Sequence, residues 1–112
     1  MNYSIKTYRA FDKELKRLAK RYKSLKEDII HLAEDLLNNP TQGVDLGGGV
    51  RKVRMAITSK GKGKSGGARV ITLLITHSDT ESEIGLHYIY DKSERESLTD
   101  AELRAIIVQN GL

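Results

Sequence analysis

The spacing of apolar residues changes once along this chain, and that change constrains its fold more than any other feature. Up to Pro40 they recur every three or four positions: Phe11, Leu15, Leu18, Ala19 and Tyr22, then Leu25, Ile29, Leu32, Ala33 and Leu36. This is the period of an amphipathic helix. From Val50 the period falls to two, with Val53, Met55 and Ile57 opposite Lys52 and Arg54, as in a strand with one buried face. A helix-period stripe does not sit on one face of a strand, nor the reverse. The chain therefore reads as a helical half followed by a sheet-forming half.

Local signals divide those halves. Ser24-Leu25-Lys26-Glu27 has the spacing of a capping box and opens a second helix, which Asn38-Asn39-Pro40 stops. The link between the two helices is short enough for an antiparallel hairpin. Residues 41–49, ending in three glycines, read as a loop. Strands are expected over Val50–Thr58, Ala68–Thr76, which is rich in β-branched residues, and Glu83–Tyr90, with His77–Ser82 as a hairpin loop. Asn2–Lys6 suits a short opening strand. Thr99-Asp100-Ala101-Glu102 is a second capping box, with Leu98 and Leu103 spaced as a hydrophobic staple. It starts a final helix whose apolar face is Leu103, Ile106 and Ile107 and whose end suits Gly111. The expected fold is α+β, in the order β-α-α-β-β-β-α: a helical hairpin on a small, mainly antiparallel twisted sheet, as one domain over residues 1–112.

Charge is organised by segment. Residues 1–26 carry nine Lys/Arg against Asp12 and Glu14, and residues 46–78 carry seven and no acid; residues 27–45 and 79–112 are net acidic. Two basic blocks within a chain of formal charge +4 point to a surface that faces a polyanion. The chain has no cysteine, which rules out disulfides and thiolate metal sites. No apolar run approaches the ~20 residues of a membrane helix, and MNYSIKTYRAF lacks the apolar core of a secretory signal. A soluble, cytoplasmic protein is the expectation.

The stretch VRKVRMAITSKGKGKSGGAR, Val50 to Arg69, concentrates the chemistry. Lys52 and Arg54 share one face of their strand because strand side chains repeat every two residues. Lys60, Lys62 and Lys64 alternate with glycines, which let a backbone approach a phosphate chain closely, and Arg69 enters the next strand. If that strand brings Arg69 beside Lys52 and Arg54, three cations converge and repel one another unless an anion such as a phosphate lies between them. Gly63-Lys64-Ser65 is not a P-loop: Thr58 stands where the first glycine belongs, and a strand follows instead of a helix.

Other candidates are weaker. Three scattered histidines, His31, His77 and His87, make no metal-ligand pattern, and no cofactor is expected. His87 can face either the core or the active surface, where it would serve as a proton shuttle. Tyr88, Tyr90 and Lys92 end the last strand beside the basic ones; one tyrosine can stack on an RNA base while the other packs in the core. Lys13, Lys16, Arg17, Lys20 and Arg21 form the basic face of the first helix.

With these segments in this order, the chain resembles toxins of the RelE/ParE superfamily, the HigB-like members above all. FDKELKRLAKRY, VRKVRMAI, SKGKGKSGGARVI and IYDKSE carry the likeness, which runs from about Asn2 to Val108. The resemblance implies a metal-independent, ribosome-dependent endonuclease that cuts mRNA through attack of a ribose 2′-hydroxyl on its own phosphate. It also implies a cognate antitoxin, with the ribosome and mRNA as the other partners. By position, Lys52, Arg54 and Arg69 match the residues that bind and polarise the scissile phosphate, and Lys92 falls in the basic segment after the last strand. Lys52 is the candidate base, a role that needs the free amine, which cationic neighbours favour. Ser93 stands where RelE places a catalytic arginine and Thr99 about where it places a tyrosine, so Tyr90 or the Lys60–Lys64 loop has to compensate. Arg51, Lys60, Lys62 and Lys64 are expected to bind RNA, and Lys13, Lys16, Arg17 and Lys20 to dock on ribosomal RNA. Two other functions fit the same fold: a ParE-like inhibitor of DNA gyrase without nuclease activity, and a noncatalytic RNA-binding module.

Overall fold

The computed structural model describes all 112 residues. Its elements are β1 (Asn2–Thr7), α1 (Arg9–Ala19), α2 (Leu25–Asn38), β2 (Val44–Gly47), β3 (Val50–Met55), β4 (Ala68–Thr76), β5 (Glu81–Asp91) and α3 (Asp100–Gln109). The strands form one open five-stranded sheet in the order β1-β5-β4-β3-β2. β1 runs parallel to β5, and every other pair is antiparallel. The fold is the expected α+β arrangement of a helical hairpin on a mainly antiparallel sheet.

The stripe residues of α1 and α2 meet one face of that sheet. Phe11, Leu18, Leu25, Leu32 and Leu36 pack with Val53, Met55, Ile57, Val70, Ile84, Leu86 and Ile89 into a single cluster. Burying each such side chain contributes about 1.5–3 kcal/mol, which holds the hairpin to the sheet. The opposite face carries Lys52 and Arg54. α3 crosses part of it, and its Leu103 and Ile107 line a cleft with Leu46 and Val50. Only Ile106 of α3 is fully buried.

Three details depart from the expectations. The glycine-ended segment 41–49 contains β2, and Gly47, Gly48 and Gly49, with φ of 95°, 62° and 85°, turn β2 back onto β3. Those positive φ values suit glycine alone, so residues that signal a loop here make a hairpin. β3 stops at Met55 rather than Thr58. Asp28 of α2 draws the chain away, accepting hydrogen bonds from the Thr58 amide (3.0 Å) and hydroxyl (2.6 Å). Residues Thr58–Lys60 then form a 3-10 turn. Ser24 does not cap α2: it has helical dihedrals, and its hydroxyl donates to Asp28 and accepts from the Ser59 amide. The Thr99–Glu102 capping box is present in full.

β1 covers the edge of β5 only as far as Leu86. There the Tyr8 amide donates to the Leu86 carbonyl (3.0 Å), and α1 continues along the rest of the β5 edge. A register shift in the β4–β5 ladder leaves His87 as the extra residue of a bulge. It sets Tyr88 and Tyr90 on the face of Lys52 and Arg54.

Candidate functional site

Strand register puts three side chains in one row across that face. Arg54 of β3 lies opposite Arg69 of β4, and Arg69 lies opposite Tyr90 of β5. Directly opposed residues hold their Cβ atoms about 4.5–5.5 Å apart. Lys52 stands in the next row on the same face, opposite Ile71, with Tyr88 beyond it. The convergence expected for Lys52, Arg54 and Arg69 is thus built by the ladder itself.

The three cations differ in surroundings but share one property. Arg54 is exposed and Lys52 half-buried, whereas Arg69 is only 7% exposed. The Arg69 guanidinium donates to the carbonyls of Lys64 (3.1 Å), Ala68 (3.2 Å) and Ser65 (3.3 Å). None of the three forms an ion pair, although other lysines and arginines of the protein make six. Like charges directly opposite on a ladder are destabilising. Positive charge gathered without a carboxylate describes a site for an external anion. Tyr90 completes it: the ring is 3% exposed, and its hydroxyl is buried with no hydrogen-bond partner. Burial raises the pKa of that hydroxyl, while Arg69 and Arg95 pull it down.

The loop between β3 and β4 holds Arg69 in place. Gly67 makes this possible, since a Cβ there would lie 2.1 Å from the Met55 carbonyl oxygen. The other end of the loop is tied by Lys60, whose ammonium meets the buried Asp91 carboxylate at 2.9 Å and the Ser93 hydroxyl at 3.2 Å. Asp91 also accepts from Tyr22 (2.5 Å) and from the Ser93 hydroxyl (2.7 Å) and amide (2.9 Å). Burial alone would raise the Asp91 pKa, but these bonds more than offset it and hold the carboxyl well below the usual range.

Several residues singled out from sequence lie elsewhere. Lys60 points into the Asp91 network and not onto the cationic face. Arg51 alternates away from Lys52 and is held by the Thr41 carbonyl (2.8 Å) and Asp45. Lys92 donates to the Glu96 carbonyl (2.8 Å). Lys62 and Lys64 remain exposed on the loop. On α1, Lys13, Lys16 and Lys20 are exposed, whereas Arg17 is paired with Glu14 and Glu94, and Arg21 with Glu94. His87 is a core residue, stacked on Tyr8 at 4.0 Å, and burial pushes its pKa down to about 4. No three His, Asp or Glu side chains converge to hold a metal ion, and no helix is long and apolar enough to cross a membrane.

Arg95 was missed from sequence. It lies close enough to Tyr88 and Tyr90 to offset part of the rise in pKa that burial imposes on both hydroxyls, and it is anchored by Glu102 (2.5 Å) and the Ser97 carbonyl (3.2 Å). Spacing hides it, because it stands two residues beyond Ser93 in an irregular segment. The family model described as RelE toxin of the RelE / RelB toxin-antitoxin system matches residues 6–109. No curated protein matches the chain significantly.

Proposed function

From the premise that this chain belongs to the RelE toxin family, and so is the toxin of a toxin–antitoxin system with an antitoxin as partner, we propose that it is a ribosome-dependent mRNA endonuclease. The observation that carries this reading is the Arg54–Arg69–Tyr90 row with Lys52 beside it, a set of cations none of which has an ion-pair partner. A scissile phosphate seated there takes over the donors of Arg69 now spent on the Lys64 and Ser65 carbonyls.

The 2′-hydroxyl oxygen bonds to the adjacent phosphorus and the P–O5′ bond breaks, leaving a 2′,3′-cyclic phosphate and a free 5′-hydroxyl. Lys52 accepts the 2′ proton. Arg54 and Arg69 stabilise the negative charge that grows on the phosphate, the largest single contribution available to such a site. Tyr90, kept protonated by burial, returns a proton to the departing 5′-oxygen once the phosphate has drawn Arg69 from the loop carbonyls and uncovered the tyrosine hydroxyl. Arg95 supplies near the tyrosines the positive charge that Ser93 cannot. The exposed Lys62 and Lys64 hold the RNA backbone. Lys16 and Lys20 contact ribosomal RNA, which positions the mRNA for a site with few proton-transfer groups.

The test is a defined translation reaction in which new mRNA 5′ ends are mapped by primer extension, with and without ribosomes. Cuts that require ribosomes and vanish in Arg69→Ala are the expected result. Intact mRNA from a protein that still arrests growth overturns the reading and directs attention to DNA gyrase.

A further inference from the structure

Between the start of α1 and the end of α3 lies a cavity of about 460 Å³. Tyr88 and Ile106 form its apolar part, Arg9, Lys13 and Glu14 line it from α1, and Gln109 lines it from α3. Tyr88 is two residues from Tyr90 on the same face of β5, and their ring centroids are 6.5 Å apart. Tyr88 thus joins the cavity, of which it is one wall, to the row that ends in Tyr90.

The polar groups here divide into spent and free. Glu14 is paired with Arg17 at 3.1 Å, which offsets its negative charge. Asn110, also at the rim, accepts from the Ala10 amide through its side-chain oxygen (2.9 Å) and donates from its side-chain amide to the His87 carbonyl (3.0 Å). Neither Arg9 nor Lys13 forms an ion pair with a carboxylate. Gln109 is exposed, and its amide can both donate and accept. A half-buried aromatic face, two unpaired cations and a free amide are what one nucleotide of single-stranded RNA needs: a surface to stack on, charge for its phosphate, and a partner for a base edge.

We propose that this cavity binds a nucleotide of the substrate RNA strand neighbouring the one whose phosphate rests on Arg54 and Arg69, which presumes the nuclease reading above. Tyr88 stacks on the base, Arg9 and Lys13 take the phosphate, and Gln109 meets the base edge. The cavity thereby fixes the direction in which the strand leaves the cleavage site.

The experiment is fluorescence anisotropy of the full chain with a 2′-O-methyl hexanucleotide, which cannot be cleaved, over a range of salt concentrations. Releasing the one phosphate held by both cations, in Arg9→Gln/Lys13→Gln, should make the slope of log affinity against log salt shallower by about 0.7, the value per neutralised phosphate on single strands. Lys23→Gln/Lys26→Gln, the same charge change remote from the cavity, should leave the slope close to wild type. Tyr88→Leu should weaken binding about ten-fold through lost stacking. If the hexanucleotide binds and both cavity variants match wild type, the proposal falls while ribosome-dependent cleavage stands. If wild type neither binds the RNA nor cuts mRNA on ribosomes, the nuclease reading falls and this proposal with it.

Discussion

Lys60 and Lys64 look equivalent in sequence, four residues apart in one glycine-spaced run, yet they do different work. The Lys60 ammonium is buried against Asp91, whereas the Lys64 side chain is exposed and only its carbonyl is used, on Arg69. Removing one partner of a buried ion pair strands the other and costs about 3 kcal/mol or more. Lys60→Ala should lower unfolding free energy in urea by that amount, while Lys62→Ala and Lys64→Ala stay within about 0.5 kcal/mol of wild type. Equal stability of Lys60→Ala and Lys64→Ala would show that the Asp91 network does not anchor the loop.

At the scale of elements, α3 is the least securely held. One residue of it is fully buried, and its attachment relies on polar contacts at both ends. Thr99 and Glu102 close the N-terminus, and Asn110 joins the C-terminus to the α1 amide of Ala10 and to His87. Asn110→Ala leaves buried groups without partners, at a cost of about 1–3 kcal/mol. Amide hydrogen exchange should quicken in α3 and the first turn of α1, and stay unchanged in β4. Protection of α3 equal to wild type would mean that packing alone holds the helix.

The elements were legible in the sequence where one signal dominated. Periodicity placed both hairpin helices, ARVITLLIT marked β4 to its ends, and Thr99–Glu102 predicted a cap that forms. What misled were residues whose partners are distant in sequence. Asp28 accepts from Thr58, thirty positions on, and so shortens β3 and takes Ser24 from its expected cap. The same holds within the site. Spacing showed that Lys52 and Arg54 share a face and that Arg69 can join them, but the pairing of Lys60 with Asp91 and the approach of Arg95 to the tyrosines depend on tertiary structure.

For the molecule as a whole, His87 links stability to pH. Its imidazole is buried against Tyr8, with Glu83 and Lys6 the nearby charges, and titrates at about 4 in the fold against about 6.5 in the unfolded chain. Between those values the unfolded chain binds a proton that the fold excludes. Stability is therefore complete above about pH 6.5 and declines as pH falls towards 4, by up to about 1.4 kcal/mol per unit. Asp91 and Glu83 have lowered pKa values, so their contributions persist until the pH drops below about 4. Urea midpoints from pH 4.5 to 7.5 should rise with pH in wild type and flatten in His87→Gln. A flat wild-type profile would contradict this account.

The opposition of Arg54 to Arg69 across the β3–β4 ladder carries a thermodynamic obligation. Like charges directly opposite on a ladder lower stability, and this pair has no carboxylate partner to offset that cost. Binding and folding are reciprocal: any anion drawn to that row, whether nucleic acid or an acidic stretch of an antitoxin, must add stability that grows with the logarithm of its concentration over its dissociation constant, about 2.7 kcal/mol at a ratio of a hundred. The toxin is thus most robust when occupied, and a shortage of partners leaves it at once most available and most perishable.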